Sequence, residues 1–82
     1  MTIKEFKNII SKENDQIVVT TSGNEDIYVI DKDKMKVLGW ICGTEPDHFT
    51  IYSGLSDRKS WNAVNRFSET LPNERGLLQQ VN

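Results

Sequence analysis

The hydrophobic pattern changes period twice along the chain. Ile3, Phe6, Ile9 and Ile10 recur at three- and four-residue steps, with Lys4, Lys7, Asn8, Ser11 and Lys12 mostly on the other side. That spacing predicts a helix over residues 2–12 with one apolar face. Thr2 and Glu5 form a capping-box pair at its start. So short a helix is marginal alone and must dock on something. From Gln16 the period becomes two. QIVVTT (16–21), DIYVID (26–31), MKVLGWIC (35–42) and HFTIYS (48–53) predict four strands separated by turn clusters at 22–25, 32–34 and 43–47. After Gly54 and Leu55 the helical period returns. Trp61, Val64, Phe67, Ser68 and Leu71 predict the inner stripe of a second helix, capped by Ser56 or Asp57 and stopped near Leu71 by Pro72. On this reading Trp61 is core, and truncating it to Ala costs about 3–5 kcal/mol. Leu77, Leu78 and Val81 form a last apolar cluster within the tail 72–82, either a final turn on the body or a loosely packed end.

Short connections make neighbouring strands pair antiparallel as a meander, and none is long enough for a parallel crossover. The predicted fold is therefore a single small α+β domain over residues 1–82. It is a four-stranded antiparallel meander with an N-terminal and a C-terminal helix on one face, in the order α-β-β-β-β-α. Strand alternation gives two candidate faces. One carries Ile17, Val19, Ile27, Val29, Val37, Ile41, Phe49 and Ile51, all aliphatic or Phe, and is assigned to the helices. The other carries Val18, Thr20, Tyr28, Ile30, Leu38, Trp40, His48, Thr50 and Tyr52.

That second face changes the functional picture. Tyr and Trp have an apolar body and a polar tip, and they suit a surface buried against a partner. Tyr28, Trp40 and Tyr52 are therefore candidate contact residues for another protein or a second copy in a homodimer. The bland alternative has helices flanking both faces or the tail folding over the patch. Stacking of single-stranded nucleic acid would need basic residues among the aromatics, and the strands carry almost none beyond Lys36. A meander also places its first and third turns at one end of the sheet. Those turns hold Glu25, Asp26, Glu45 and Asp47 with no Lys or Arg, a candidate steering edge for a basic partner. Solvated turns that merely favour Asp are the plain reading.

Composition narrows the classes. The chain has 82 residues, 37% hydrophobic and 27% charged, with a formal net charge of −2. The apolar runs are too dense for a disordered chain and far too short for a membrane span. The N-terminus lacks the apolar region of a signal peptide, and one cysteine makes no internal disulfide, so a cytoplasmic protein is expected. A net negative charge argues against duplex DNA. Arg58, Lys59 and Arg66 on the second helix still form a candidate phosphate-binding stripe, the basis of an alternative nucleic-acid-binding reading.

Catalytic patterns are sparse. The five glycines are dispersed and form no phosphate loop. Asp31 and Asp33 begin a calcium-loop pattern whose Gly and distal Glu are missing. His48 is the lone histidine, with Glu45 and Asp47 beside it. Cys42 and His48 flank one loop and form a candidate nucleophile–base pair, the basis of a further alternative, a small enzyme. A two-layer domain of this size rarely encloses a pocket. No enzyme activity, cofactor or metal is therefore expected. In its short length and Lys/Asn/Ile/Glu-rich character, the chain resembles small accessory proteins of phages and prophages. That resemblance implies a binder of the inhibitor, immunity or regulator type and assigns no residues.

Overall fold

The computed structural model describes residues 1–52, 54–55 and 57–77. Helix α1 (Ile3–Glu13) starts at the Thr2 cap. Thr2 Oγ1 accepts from the Glu5 N–H at 3.2 Å, and Glu5 Oε1 accepts from the Thr2 N–H at 3.0 Å, which is the expected capping box. Strands β1 (Ile17–Thr21), β2 (Ile27–Asp31), β3 (Lys36–Ile41) and β4 (Phe49–Ile51) follow in sheet order β1-β2-β3-β4, each pair antiparallel. Helix α2 (Arg58–Glu69) is capped by Asp57, whose carboxylate accepts from the Lys59 and Ser60 amides. A 3-10 turn, η1 (Pro72–Glu74), ends the described fold with Arg75, Gly76 and Leu77. Leu77 is buried, while Leu78 and Val81 lie outside the described residues.

One core holds the two layers together. Ile3, Phe6 and Ile10 of α1 and Ala63, Val64 and Phe67 of α2 pack with Ile17, Ile27, Val29, Leu38 and Ile41 of the sheet. Phe6 and Phe67 stack with centroids 4.7 Å apart, joining the helices. Both helices therefore cover the same sheet face, the arrangement expected, and not the alternative in which they flank both faces.

Two details of that pattern are corrected. Val37 was assigned to the core face and Leu38 to the open one; the reverse holds. The β2–β3 register steps from Val29↔Gly39 to Ile30↔Val37, leaving Leu38 as an extra residue. Such a bulge reverses the phase of alternation on one side of itself. Leu38 is consequently buried and Val37 is 40% exposed. The stripe of α2 is also rotated. Ser60, Ala63, Val64, Phe67 and Ser68 are buried, whereas Trp61 is 40% exposed and Leu71 50% exposed. Trp61 is thus not a core residue. Small side chains at 60, 63 and 68 let α2 approach closely, and the bulky indole one position on is left at the rim.

Candidate interaction face

With both helices on one side, the other side of the sheet carries two cross-strand rows. The first is Thr20–Tyr28–Trp40–Thr50 and the second Val18–Ile30–Val37, with Tyr52 following Thr50 by alternation. No helix covers these rows among the described residues. Val18 is 37% and Tyr52 61% exposed, and Tyr28, Ile30 and Trp40 are half-buried among their neighbours. The bulge that took Leu38 into the core delivered Val37 to this surface. A solvated face of an antiparallel sheet usually alternates in polar residues. The two rows contain no charged side chain, and Asp26 and His48 border Trp40 at one end.

Trp40 is fixed in place. Its indole Nε1–H donates to Asp26 Oδ2 at 3.0 Å, and its ring meets the His48 imidazole edge-on at 5.7 Å. Asp26 Oδ1 also accepts from the Gly43 N–H at 2.8 Å, so the first and third turns are clamped together at one end of the sheet. Gly43 is required there, because a Cβ would lie 2.3 Å from the Glu25 carbonyl carbon and oxygen. Among the expected steering residues, Asp26 is therefore anchored to Trp40 and the backbone. Glu25 is half-buried nearby, and Glu45 and Asp47 are exposed at the same end. The Asp47 N–H donates to the Ser68 carbonyl at 2.8 Å, tying this end to α2.

The residues of the alternatives sit elsewhere. Arg58, Lys59 and Arg66 are exposed on α2; Trp61 lies one turn from Arg58, on the opposite flank from Lys59 and Arg66. Lys59 Nζ lies 3.6 Å from Glu13 Oε1 of α1. Cys42 and His48 pair through the backbone, the Cys42 N–H donating to the His48 carbonyl at 2.9 Å. Their side chains turn to other partners: Cys42 Sγ to Thr44 Oγ1 at 3.4 Å, and His48 Nδ1 to Glu45 Oε2 at 3.2 Å. The Thr44 hydroxyl lowers the Cys42 thiol below its ordinary pKa. Asp31 Oδ1 accepts from the Asp33 and Lys34 amides, closing the second turn. Among the described residues no three His, Cys, Asp or Glu side chains converge on a point that could hold a metal ion, and no helix is long and apolar enough to cross a membrane.

Sequence reasoning gives no site role to Arg75. Arg75 is fully buried. Its Nε, Nη1 and Nη2 donate to the carbonyls of Thr70 (3.0 Å), Cys42 (2.7 Å) and Ser68 (3.0 Å), and the guanidinium lies 4.9 Å from the Phe67 ring centre. The carbonyls of Ser68 and Thr70 belong to the C-terminal end of α2, where the helix dipole favours a cation. The Arg75 carbonyl in turn accepts from the Ile3 N–H at 2.7 Å, closing the start of α1. The available signal was a basic residue just past a helix end, a position from which Arg can bond the last carbonyls.

No family model, no curated protein and no solved structure matches this chain.

Proposed function

We propose that this domain is a protein-binding module of the inhibitor, immunity or regulator type, and that it works by docking its open sheet face on a partner protein. The observation that carries this reading is the uncharged surface formed by Val18, Ile30 and Val37 with Tyr28, Trp40 and Tyr52, which has no helix over it among the described residues. Enrichment in aromatics and depletion in charge mark the centre of protein interfaces. Contiguous apolar surface on a small domain marks an interaction site. Glu25, Glu45 and Asp47 at one end supply a negative rim for orientation.

The test compares proteins retained from the source cell by wild type with those retained by Val37→Lys and Tyr52→Ala. One retained species lost with both variants and kept with Trp61→Ala supports the reading. Retention unaffected by both open-face variants overturns it. A second reading, nucleic-acid binding by α2, is favoured by Lys59 and Arg66, two turns apart on one flank of the helix, where they line a shallow groove with Ile9, Asn62 and Ala63. Phosphate contacts weaken steeply as salt rises, whereas an uncharged sheet interface changes little. A salt titration of any retained species therefore separates the two.

A further inference from the structure

The two edges of the sheet are built differently. β4 is three residues long and pairs with the bulged strand β3. Shortness and bulging are ordinary ways of blunting an edge against unwanted pairing. β1 has neither device. Its five residues, IVVTT, pair with β2 without a register shift, and positions 16–24 contain no charged residue and no proline.

The hydrogen-bond phase fixes which groups this edge presents. The Lys32 N–H donates to the Gln16 carbonyl at one end of the β1–β2 ladder, and the Ser22 N–H to the Asp26 carbonyl at the other. Even-numbered residues of β1 therefore face β2, and alternation directs the amides of odd-numbered ones outward. Among the described residues the groups left unbonded on this edge are the N–H and C=O of Val19 and Thr21 and the C=O of Ile17. The Ile17 N–H is already bonded to the Asn14 carbonyl at 3.1 Å.

We infer that β1 pairs antiparallel with β1 of a second copy, about a two-fold axis through Val19, joining two four-stranded sheets into one of eight strands. This inference is independent of the open-face reading. Centring on Val19 gives the longest overlap, with 16–22 of one chain against 22–16 of the other. It yields two bonds between the Val19 residues and one from each Thr21 N–H to the opposite Ile17 carbonyl. No charged residue opposes another along the overlap, so the strand matches itself without like-charge cost.

A single strand edge is too narrow for a stable dimer, which buries about 1,200–2,000 Å2 in total. The helix layer supplies the remainder. Two helices spaced about 8–10 Å apart cover four strands spaced about 4.8 Å apart, so both layers repeat at the same pitch when the sheet is extended. The α1 helices of the two copies then meet across the axis. A groove of about 230 Å3 already runs between α1 and the edge, lined by Lys7, Asn8, Ser11, Ile17, Val18 and Val19. Lys7 is the one charge there, and its stem is long enough to carry the ammonium to solvent.

The test is molar mass in solution by light scattering across a concentration series. Wild type is expected at twice the 9.4 kDa chain mass. Val19→Pro removes an outward N–H without touching the β1–β2 ladder, and Thr20→Lys places an edge lysine on an exposed position. Both are expected at the mass of one chain with unchanged far-UV circular dichroism. Tyr52→Ala, on the open face, is expected to remain a dimer. Wild type at one chain mass throughout overturns the inference, as does a folded Val19→Pro that stays dimeric. Should Val19→Pro fail to fold, Thr20→Lys decides by the same criterion. A dimeric wild type whose partner is kept by Val37→Lys and Tyr52→Ala shows that the open-face reading failed, and a monomeric wild type that still binds a partner shows that the dimer inference failed.

Discussion

Replacing Arg75 by Met isolates the most unusual side chain in the core. Met keeps most of the apolar stem and removes the guanidinium. Three hydrogen bonds from a charged donor are lost, each worth about 1.5–3 kcal/mol, together with the contact over Phe67. Against this gross loss stands relief of the several kcal/mol that burying an ion costs, since no carboxylate pairs with Arg75 among its bonded partners. The carbonyls of Cys42, Ser68 and Thr70 lose this donor, although Ser68 keeps its bond from the Asp47 N–H. The net expectation is a destabilisation of about 2–4 kcal/mol. A domain of this length holds only about 4–12 kcal/mol in all, at about 0.05–0.15 per residue. The assay is urea unfolding followed by circular dichroism, with thermal scans expected to show a midpoint lower by about 4–8 °C for each kcal/mol lost. Arg75→Lys, which keeps the charge but cannot span three carbonyls, should fall between wild type and Met. An Arg75→Met protein within about 0.5 kcal/mol of wild type, the range of an ordinary surface change, would refute the argument that this guanidinium ties Cys42 to the end of α2.

Trp61→Ala should cost under about 1 kcal/mol in the same assay, whereas Phe67→Ala, stacked on Phe6 at full burial, should cost about 3–5 kcal/mol; equal losses would mean that the indole is core after all. Asp26→Asn should destabilise by about 1–3 kcal/mol by weakening the bonds from the Trp40 indole and the Gly43 amide. In a Trp61→Phe background it should also shift the Trp40 emission, and an unchanged spectrum would count against the indole–carboxylate bond. Gly43→Ala should be severe, because its methyl group would meet turn backbone at 2.3 Å; a near-neutral result would show that the two turns do not touch.

Element order and sheet topology were legible because the deciding signals are local. The Thr2–Glu5 capping box, the β-branched runs and the short turn clusters each specify a conformation within a few residues. What escaped the sequence depends on contacts between distant segments. Nothing in KVLGW announces that Leu38 is supernumerary; the bulge appears only when Ile30 chooses Val37 as its partner. Size misleads on α2 for a similar reason. Trp61 has the largest apolar surface available to the stripe, yet Ser60, Ala63 and Ser68 take the inward positions, where small side chains allow close packing of α2 on α1. Arg75 reads as one more surface charge until the carbonyls at the end of α2 and that of the distant Cys42 converge on it. The candidate face was partly readable. Tyr28, Trp40 and Tyr52 fell on the correct side, while Val37 joined them and Leu38 left through the bulge. The anchoring of Asp26 by Trp40 had no sequence signature.

These long-range ties are concentrated at one end of the domain. Asp26 joins the first turn to Gly43, Asp47 joins the third turn to Ser68, and Arg75 joins Cys42 to the end of α2 while its carbonyl holds the start of α1. The second turn, at the opposite end, is closed by the local Asp31 contacts. Trp40 lies near the braced end with its indole already bonded, so docking against it would order few new rotamers. Preorganisation of that kind reduces the entropic cost of association, about 0.5–1.5 kcal/mol for each side chain that would otherwise be immobilised. Val18, Ile30 and Val37 form the row farther from that end. Their β-branched side chains have restricted χ1 freedom and need no hydrogen-bonded anchor to hold a single shape. On the proposed reading, an anchored aromatic beside a stiff aliphatic row would meet a partner with little further loss of side-chain freedom.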